Sequence, residues 1–137
     1  MALTLRQFTV KWSGKYADYD LYYGAQCVDI IQYWCKNFGY PPIRGNAKDL
    51  YYNASTKYFV KVKKTLTNKP KPGDIIVWGG WPADSRWGHT AIAIESGILG
   101  FYSWDQNWPP NSPCHKQRHS WFCITGFLRP NQLCLCL

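Results

Sequence analysis

Acidic residues are scarce in this chain of 137 residues: eight Asp and Glu stand against sixteen Lys and Arg, a formal net charge of +8. A basic surface favours anionic partners, among them nucleic acid, an acidic membrane face and an anionic wall polymer. Three of the eight acids, Asp18, Asp20 and Asp29, nevertheless fall within one twelve-residue window. Acids that cluster in a basic protein need a reason, and a bound cation is one.

Long apolar runs are also missing from the sequence. No stretch approaches the ~18 apolar residues of a membrane span. The first twelve residues lack the run of roughly 7–15 apolar residues that a secretory signal needs. We therefore expect synthesis in a cytoplasm, where thiols stay reduced, so that the six cysteines are free. A disulfide scaffold is the alternative. Cys35 is expected in the core, and Cys134 and Cys136 in a loose C-terminal tail.

The length fits one domain with one core. Apolar residues at helical spacing predict a helix over residues 26–38, which Gly39 ends. Asn46 could cap a second, short helix through Tyr52. Alternating segments predict five strands, over residues 58–64, 74–78, 88–95, 99–107 and 121–128. Helices followed by strands favour an α+β fold in which N-terminal helices pack on an antiparallel sheet.

A cysteine, a histidine and a side-chain acceptor follow one another in the order typical of thiol hydrolases. Cys27 begins the predicted helix, where the dipole and the free N–H groups favour a thiolate and could receive an oxyanion. The side-chain NH2 of Gln26 could add a donor. A buried structural thiol is the plain alternative for Cys27.

The histidine of this set is His89, which begins a predicted strand whose face continues with Ala91 and Ala93. We expect these two small residues to let the helix pack close. A tight turn centred on Gly97 would set His89 opposite Asp105, with Cβ atoms ~5 Å apart. A one-residue slip would turn Asp105 to the wrong face. A hydrogen-bonded structural histidine is the alternative for His89.

The other two histidines, His115 and His119, are expected in a polar loop. Together with Cys114 and Cys123 they make a set of zinc-type ligands within ten residues. Their spacing matches no regular zinc finger, and residues 121–128 alternate like a strand. Zinc is therefore the weaker interpretation of this segment.

The acidic window has the spacing of a calcium loop of the EF-hand kind. Positions 1, 3, 5, 7 and 12 of such a loop are taken by Asp18, Asp20, Tyr22, Gly24 and Asp29. Tyr23 stands where the loop has Gly at position 6, and Asp29 replaces the usual Glu. Tyr22 and Gly24 would supply backbone carbonyls only. The alternative is helix capping and surface charge.

Five motifs in order resemble the CHAP family, the cysteine, histidine-dependent amidohydrolase/peptidase domains of bacteriophage endolysins. They are Tyr23-Gly-Ala-Gln-Cys-Val-Asp29, Gly45-Asn-Ala47, Lys71-Pro-Gly-Asp-Ile-Ile-Val-Trp78, Gly88-His-Thr-Ala-Ile-Ala93 and Asp105-Gln-Asn-Trp108. The resemblance implies a papain-like fold and the cleavage of peptidoglycan.

The resemblance also implies roles for single residues. Cys27 would be the nucleophile and His89 the general base. Asp105 stands where many relatives have Glu, and Asn107 is the other polar member; which of them orients His89 is open. Some CHAP endolysins bind calcium on the loop before the cysteine, with which the acidic window aligns.

The resemblance predicts a catalytic domain over residues 1–130, followed by a tail or truncated linker over residues 131–137. Endolysins of Gram-positive hosts often add a wall-binding domain after the catalytic one. Either this chain is a trimmed piece of a longer protein, or its basic surface does the binding. The expected enzyme is a monomer, made in the host cytoplasm without a signal peptide, that acts on the wall after release. Its basic surface would hold it near anionic wall polymers.

The expected reaction is hydrolysis of an amide bond in Gram-positive peptidoglycan, by a D-alanyl-glycyl type endopeptidase or an N-acetylmuramoyl-L-alanine amidase. We expect four tryptophans to line the groove: Trp78, Trp81, Trp87 and Trp108. Two other classes remain. One is a wall-binding module without activity. The other is a nucleic-acid-binding protein, because Lys57–Lys71 mixes lysines with Tyr58 and Phe59. A solvated strand face explains that segment better. We therefore expect no nucleic-acid partner.

Overall fold

The computed structural model describes residues 2–80 and 85–132. Its helices are α1 (Leu5–Trp12), α2 (Cys27–Asn37) and α3 (Leu50–Asn53), with a 3₁₀ turn at Ala47–Asp49 before α3. Its strands are β1 (Phe59–Lys63), β2 (Ile75–Trp78), β3 (His89–Ser96), β4 (Phe101–Asp105), β5 (His115–His119) and β6 (Ile124–Pro130). No helix in the described part of the chain is long and apolar enough to cross a membrane.

Helix α2 confirms the prediction for residues 26–38. Its start is capped because the backbone N–H of Gln26 donates to the Asp29 carboxylate at 2.7 Å. Its end follows the predicted stop, with Gly39 in the left-handed region at a φ of 75°. The short helical segment after Asn46 is also present, and the Asn46 N–H donates to Asp49 at 3.0 Å.

Six antiparallel strands form one sheet in the order β1-β6-β2-β3-β4-β5. The five predicted strands are all present, and the α+β class is confirmed. The prediction of a polar loop around His115 and His119 is wrong, because these residues bound β5, which pairs with β4 along its whole length. The alternation of β5 places polar residues on both sides, so hydrophobic periodicity does not reveal it.

The sheet carries a different cluster on each side. Side chains of α2 join one cluster with residues of four strands: Ile30, Ile31, Trp34, Ile75, Val77, Ile92, Trp104 and Leu128. The second cluster comprises Ile76, Trp78, Ala91, Ala93, Phe101 and Phe127. The expectation that Ala91 and Ala93 make room for the helix is therefore wrong. They face the second cluster, where they leave space for the large rings of Trp78 and Phe101.

Asp74 of the Lys71-Pro-Gly-Asp turn is a structural residue. It is fully buried and forms a two-pronged ion pair with Arg129 of β6, at 3.0 and 2.7 Å. It also accepts the backbone N–H of Lys71 at 2.8 Å. The pair joins the turn before β2 to its neighbour strand, and explains why the turn carries an acid.

The four described cysteines, Cys27, Cys35, Cys114 and Cys123, are free. Cys35 is 1% exposed within the first cluster, which confirms its place in the core. Burial raises the pKa of the Cys35 thiol to about 12, which makes it chemically inert. Cys134 and Cys136 lie outside the described residues.

Candidate active site

Cys27 is the first residue of α2 and is half-buried. At this position the backbone N–H groups have no acceptor within the helix, and the helix dipole favours negative charge. Because Cys27 is only half-buried, its thiol is accessible from solvent, whereas the Cys35 thiol is buried. Cys27 thus lies at the helix start, as the sequence predicts. Its role as the nucleophile stays a prediction.

Gln106 ties the start of α2 to the end of β4. Its buried side-chain amide donates to the carbonyls of Gln26 and Ala17, both at 2.7 Å. Its Oε1 accepts the Ala17 N–H at 2.6 Å and the Cys114 thiol at 3.2 Å. Sequence reasoning overlooked this residue, although it lies between two residues of the Asp105-Gln-Asn-Trp108 motif. It fixes the residue before Cys27 relative to Asp105.

His89 is 2% exposed, and its Nε2 donates to Asp105 Oδ2 at 2.6 Å. With Nε2 occupied, Nδ1 is the nitrogen left for Cys27, with which the ring is hydrogen-bonded. Burial lowers the pKa of His89. The bonds to Asp105 and Cys27 outweigh burial and raise this pKa to about 10. The ring is therefore an imidazolium held between the sulfur of Cys27 and the carboxylate of Asp105.

Gly88 fixes the approach of the chain to His89. Its φ is 72°, and a Cβ there would lie 2.4 Å from the Trp78 carbonyl oxygen and 2.8 Å from the Lys48 nitrogen. The Lys48 N–H donates to the carbonyl of Trp87 at 2.9 Å. Only glycine fits between β2 and the 3₁₀ turn, and this close passage sets where β3 begins.

The contact between His89 and Asp105 is diagonal, not directly across the strand pair. The register pairs Ile92 with Trp104 and Ala93 with Ser103. One residue further, this register sets Ala91 opposite Asp105, so the expected pairing is wrong by two residues. A shift of two keeps a residue on the same face of the sheet. Asp105 therefore still reaches His89 as a diagonal neighbour.

Asp105 is fully buried and accepts from three side chains. Besides His89, the Nε2 of His119 donates to Oδ2 at 2.7 Å, and the hydroxyl of Ser103 donates to Oδ1. Burial would raise the pKa of Asp105. The hydrogen bonds from His119 and His89 prevail and lower this pKa to about 2. Sequence reasoning missed both His119 and Ser103 as members of this site.

Asn107, the other candidate partner of His89, binds elsewhere. Its Nδ2 donates to Gln26 Oε1 at 3.1 Å, and its Oδ1 accepts the Asn111 N–H at 2.6 Å. The amide of Gln26 donates to the Tyr23 carbonyl at 2.6 Å. Asn107 and Gln26 thus brace one another beside Cys27, whereas Asp105 makes the direct bond to His89.

The acidic window before Cys27 converges. Carboxylate oxygens of Asp18, Asp20 and Asp29 lie within 4.8 Å of one another. Burial, with the charges of Asp20 and Asp18, raises the pKa of Asp29 against two backbone hydrogen bonds, from Gln26 and Tyr19. Hard oxygen donors of this kind suit calcium, and these three side chains fit the ion.

The other two predicted ligands of this window are backbone groups. The Tyr22 N–H donates to Asp20 Oδ1 at 2.9 Å, and Gly24 has a φ of 71°. Both residues belong to the loop that carries the three acids. Their carbonyls as calcium ligands stay a prediction.

A cleft of about 830 Å³ opens beside Cys27. Its lining combines exposed rings of Tyr22, Tyr23 and Trp87 with the exposed guanidinium of Arg44. Such a surface suits an extended peptide.

The four tryptophans expected in the groove have different positions. Trp87 lines the cleft and is 53% exposed. The half-buried Trp108 has its ring 5.9 Å from the His89 ring. The expectation for Trp78 is wrong, since it is fully buried in the second cluster. Trp81 lies outside the described residues.

Residues on which the zinc and nucleic-acid interpretations depend make other contacts in the structure. Cys114 donates to Gln106 and His119 to Asp105, and among the described residues the four zinc-type ligands do not converge. The rings of Tyr58 and Phe59, on which nucleic-acid stacking would depend, pack against Tyr40 at 4.9 and 5.3 Å.

Comparison with known proteins agrees with this geometry. No curated protein matches the chain. Among solved structures, the crystal structure of the wild-type endolysin LysIME-EF1 is similar, at 31% identity and a TM-score of 0.80. The match covers 93% of this chain and 64% of that one, so the chain spans less than two thirds of that endolysin. The α+β, papain-like fold class is confirmed. The model of the CHAP domain matches residues 15–107, and the chain therefore belongs to the CHAP domain family.

Proposed function

We propose that this chain is a peptidoglycan hydrolase that cuts an amide bond of the Gram-positive cell wall with Cys27 as nucleophile. The observation that carries the proposal is the line of contacts Cys27–His89–Asp105 at the start of α2, beside an open cleft. Membership of the CHAP family and the likeness to an endolysin support the choice of substrate.

The first half of the reaction acylates the enzyme. Cys27, paired as a thiolate with the His89 imidazolium, attacks the carbonyl carbon of the scissile amide through its sulfur. The carbonyl oxygen becomes an oxyanion, held by the N–H groups at the start of α2, with the amide of Gln26 as a second donor. His89 then protonates the leaving amine, the C–N bond breaks, and a thioester remains on Cys27.

The second half hydrolyses the thioester. His89, now neutral, takes a proton from water, and the resulting hydroxide attacks the thioester carbonyl. Cys27 leaves as the thiolate and the product as a carboxylic acid. Throughout, Asp105 holds the ring so that Nδ1 faces the sulfur, and its charge stabilises the imidazolium. Asn107 keeps Gln26 in place rather than orienting His89.

The cleft supplies the contacts for the substrate. Rings of Tyr22, Tyr23 and Trp87 would pack on the peptide, and Arg44, which forms no ion pair within the described residues, would bind a carboxylate of the stem. Both an endopeptidase of the D-alanyl-glycyl type and an N-acetylmuramoyl-L-alanine amidase use this attack. The net charge of +8 would hold the enzyme, as a monomer, close to anionic wall polymers.

We propose calcium as the resident ion of the acidic window, held by the carboxylates of Asp18, Asp20 and Asp29 with the carbonyls of Tyr22 and Gly24. The ion would supply positive charge that offsets the mutual repulsion of the three acids. Asp29 also caps α2 through Gln26. An ordered window would keep that cap, and with it Cys27, in position.

The proposal is tested by digesting purified Gram-positive walls and identifying the new termini by mass spectrometry. A new amine on a stem or bridge residue marks an endopeptidase, and a freed N-terminal L-alanine marks an amidase. Cys27→Ala should lower the rate by roughly a thousandfold or more. Cys123→Ala, which removes an exposed free thiol, is the matched control and should retain the rate.

Two results would contradict the proposal. Full activity in Cys27→Ala would show that Cys27 is not the nucleophile. Pelleting of the protein with walls from several hosts without any new termini would instead favour a binding module without activity.

A further inference from the structure

His119 is the second imidazole, after His89, that binds Asp105. Its side chain is buried on the same side of the sheet as His89, and its Nε2 donates to Asp105 Oδ2, the oxygen that also accepts from His89. The chemistry of the proposed reaction uses His89 alone. The presence of a second buried imidazole on the same oxygen therefore requires an explanation of its own.

The surroundings of His119 are otherwise apolar and aromatic. Its ring lies 4.7 Å from that of Trp78 and stacks on Phe101 at 5.6 Å. The backbone of β5 approaches β4 closely here, since a Cβ on Gly100 would lie 2.3 Å from the His119 carbonyl oxygen. A phenylalanine would fill such a site as well as a histidine does. The polar atom of His119 therefore has one evident use, which is the bond to Asp105.

Asp105 needs such a partner because it is fully buried. An ionised carboxylate away from water is stable only where donors satisfy its oxygens. Ser103 satisfies Oδ1, while His89 and His119 share Oδ2. With His119 absent, His89 alone would hold Oδ2, and the carboxylate would be free to rotate about its Cβ–Cγ bond or to take up a proton.

We propose that His119 is a positioning residue, which holds the Asp105 carboxylate in the orientation in which it binds His89. The role of His119 in catalysis rests on the proposed function of Cys27 and His89, whereas its effect on Asp105 and His89 does not. The path runs from β5 through β4 to β3, so that three strands place one imidazole against the thiol of α2.

The test follows the titration of His89 by NMR in protein labelled with ¹⁵N-histidine, which contains only three histidines. The groups facing the His89 ring are Cys27 from α2, Asp105 from β4 and the ring of His119 from β5 at 5.8 Å, with the uncharged rings of Trp78 and Trp108 beside it. In the wild type we expect His89 to titrate near pH 10. In His119→Phe the titration should move down by roughly one unit or more.

Two further variants separate positioning from simple packing. His119→Gln retains an N–H donor and should restore most of the wild-type titration. His115→Gln changes the other histidine of β5, whose ring binds Pro113 and Gln117 rather than Asp105, and should have no effect. Far-ultraviolet circular dichroism checks that each variant is folded. If His119→Phe fails to fold, Ser103→Ala is measured instead, with the same direction expected.

Wall hydrolysis gives the second readout. The alkaline limb of the kcat/KM profile should move to lower pH in His119→Phe and return in His119→Gln. An unchanged His89 titration in folded His119→Phe would overturn the inference even if the variant is less active. If the wild type hydrolyses no wall, the proposed function fails, but the NMR titration still decides the role of His119.

Discussion

Two clusters of side chains near Cys27 have opposite electrostatics: one surrounds the single acid Asp105, and the other is formed by Asp18, Asp20 and Asp29. Asp105 is buried with two imidazoles and a hydroxyl as donors, and its pKa is lowered to about 2 despite burial. Asp29 is 4% exposed and lies beside the more exposed Asp18 and Asp20, and burial and like charge raise its pKa. The first cluster is complete within the protein. The second has negative charge in excess.

The contrast shows how one residue type serves two purposes. Where donors outnumber the charge, as around Asp105, the carboxylate can orient an imidazole and favour its charged form. Where carboxylates face one another, as in the acidic window, the protein has a place for a cation from solution. We therefore expect changes in the first cluster to affect chemistry, and changes in the second to affect stability and its dependence on calcium.

Asp105→Asn should have the largest effect on the contrast. It removes the charge that raises the pKa of His89 while keeping the shape of the side chain. We expect kcat/KM for wall hydrolysis to fall by roughly 100-fold or more, and its alkaline limb to move to lower pH. Asp74→Asn is the comparison, because it changes a buried acid that serves only structure. Asp74→Asn should lower the melting temperature and leave the alkaline limb in place. Equal pH profiles in the two variants would contradict the distinction.

Gln106→Leu should affect both activity and stability. The change leaves the buried N–H and carbonyl of Ala17 without their partner, at a cost of roughly 1–3 kcal/mol for each group. The start of α2 would also lose its connection to β4, so kcat should fall. Denaturant unfolding and wall digestion measure the two effects, with exposed Gln132→Leu as the control. Wild-type activity in folded Gln106→Leu would show that the hydrogen bonds of Gln106 do not position Cys27.

Calcium should raise the melting temperature of the wild type by several degrees, because an ion that binds only the folded state stabilises it by mass action. Chelation with EDTA should reverse the shift and reduce wall hydrolysis. Asp20→Asn should abolish the calcium response. Asp49→Asn is the control: it changes the carboxylate that accepts the Asn46 N–H, and this variant should keep the calcium response. A calcium response that survives in Asp20→Asn would place the ion elsewhere.

The smallest expected effect is the dependence of stability on pH. His89 has a folded pKa of about 10, above its ordinary 6.5, so its contribution to stability is complete below pH 6.5 and is lost as pH rises through 10. The folded pKa of Asp105 is about 2, below its ordinary 3.8. Its contribution to stability is therefore present above pH 3.8 and is lost as pH falls through 2. Denaturant midpoints across this range should decline on both sides. His89→Phe should reduce the alkaline decline, and an unchanged slope would contradict the assigned cause.

Prediction from the sequence was most successful where the signal was local. The helix at Cys27 follows from apolar spacing and a terminating glycine, and both short-range caps lie within a few residues of the groups they bind. The strand β5 was missed because His115–His119 has no apolar alternation. The sequence placed Trp78 in a groove and Ala91 against a helix, since it shows which residues alternate but not which side of a sheet each alternate face will meet.

The amino-acid sequence was sufficient to identify the family and to indicate the candidate groups of the site. These are a cysteine at a helix start, a histidine at the head of a strand, an acid 16 residues after that histidine, and a loop of acids before the cysteine. These depend on composition and short-range spacing, which the chain carries in any context. The partners of those groups depended on the assembled sheet. His119 reaches Asp105, 14 positions away, because β4 pairs with β5. Gln106 reaches Gln26, 80 positions away, because α2 packs on one side of the sheet.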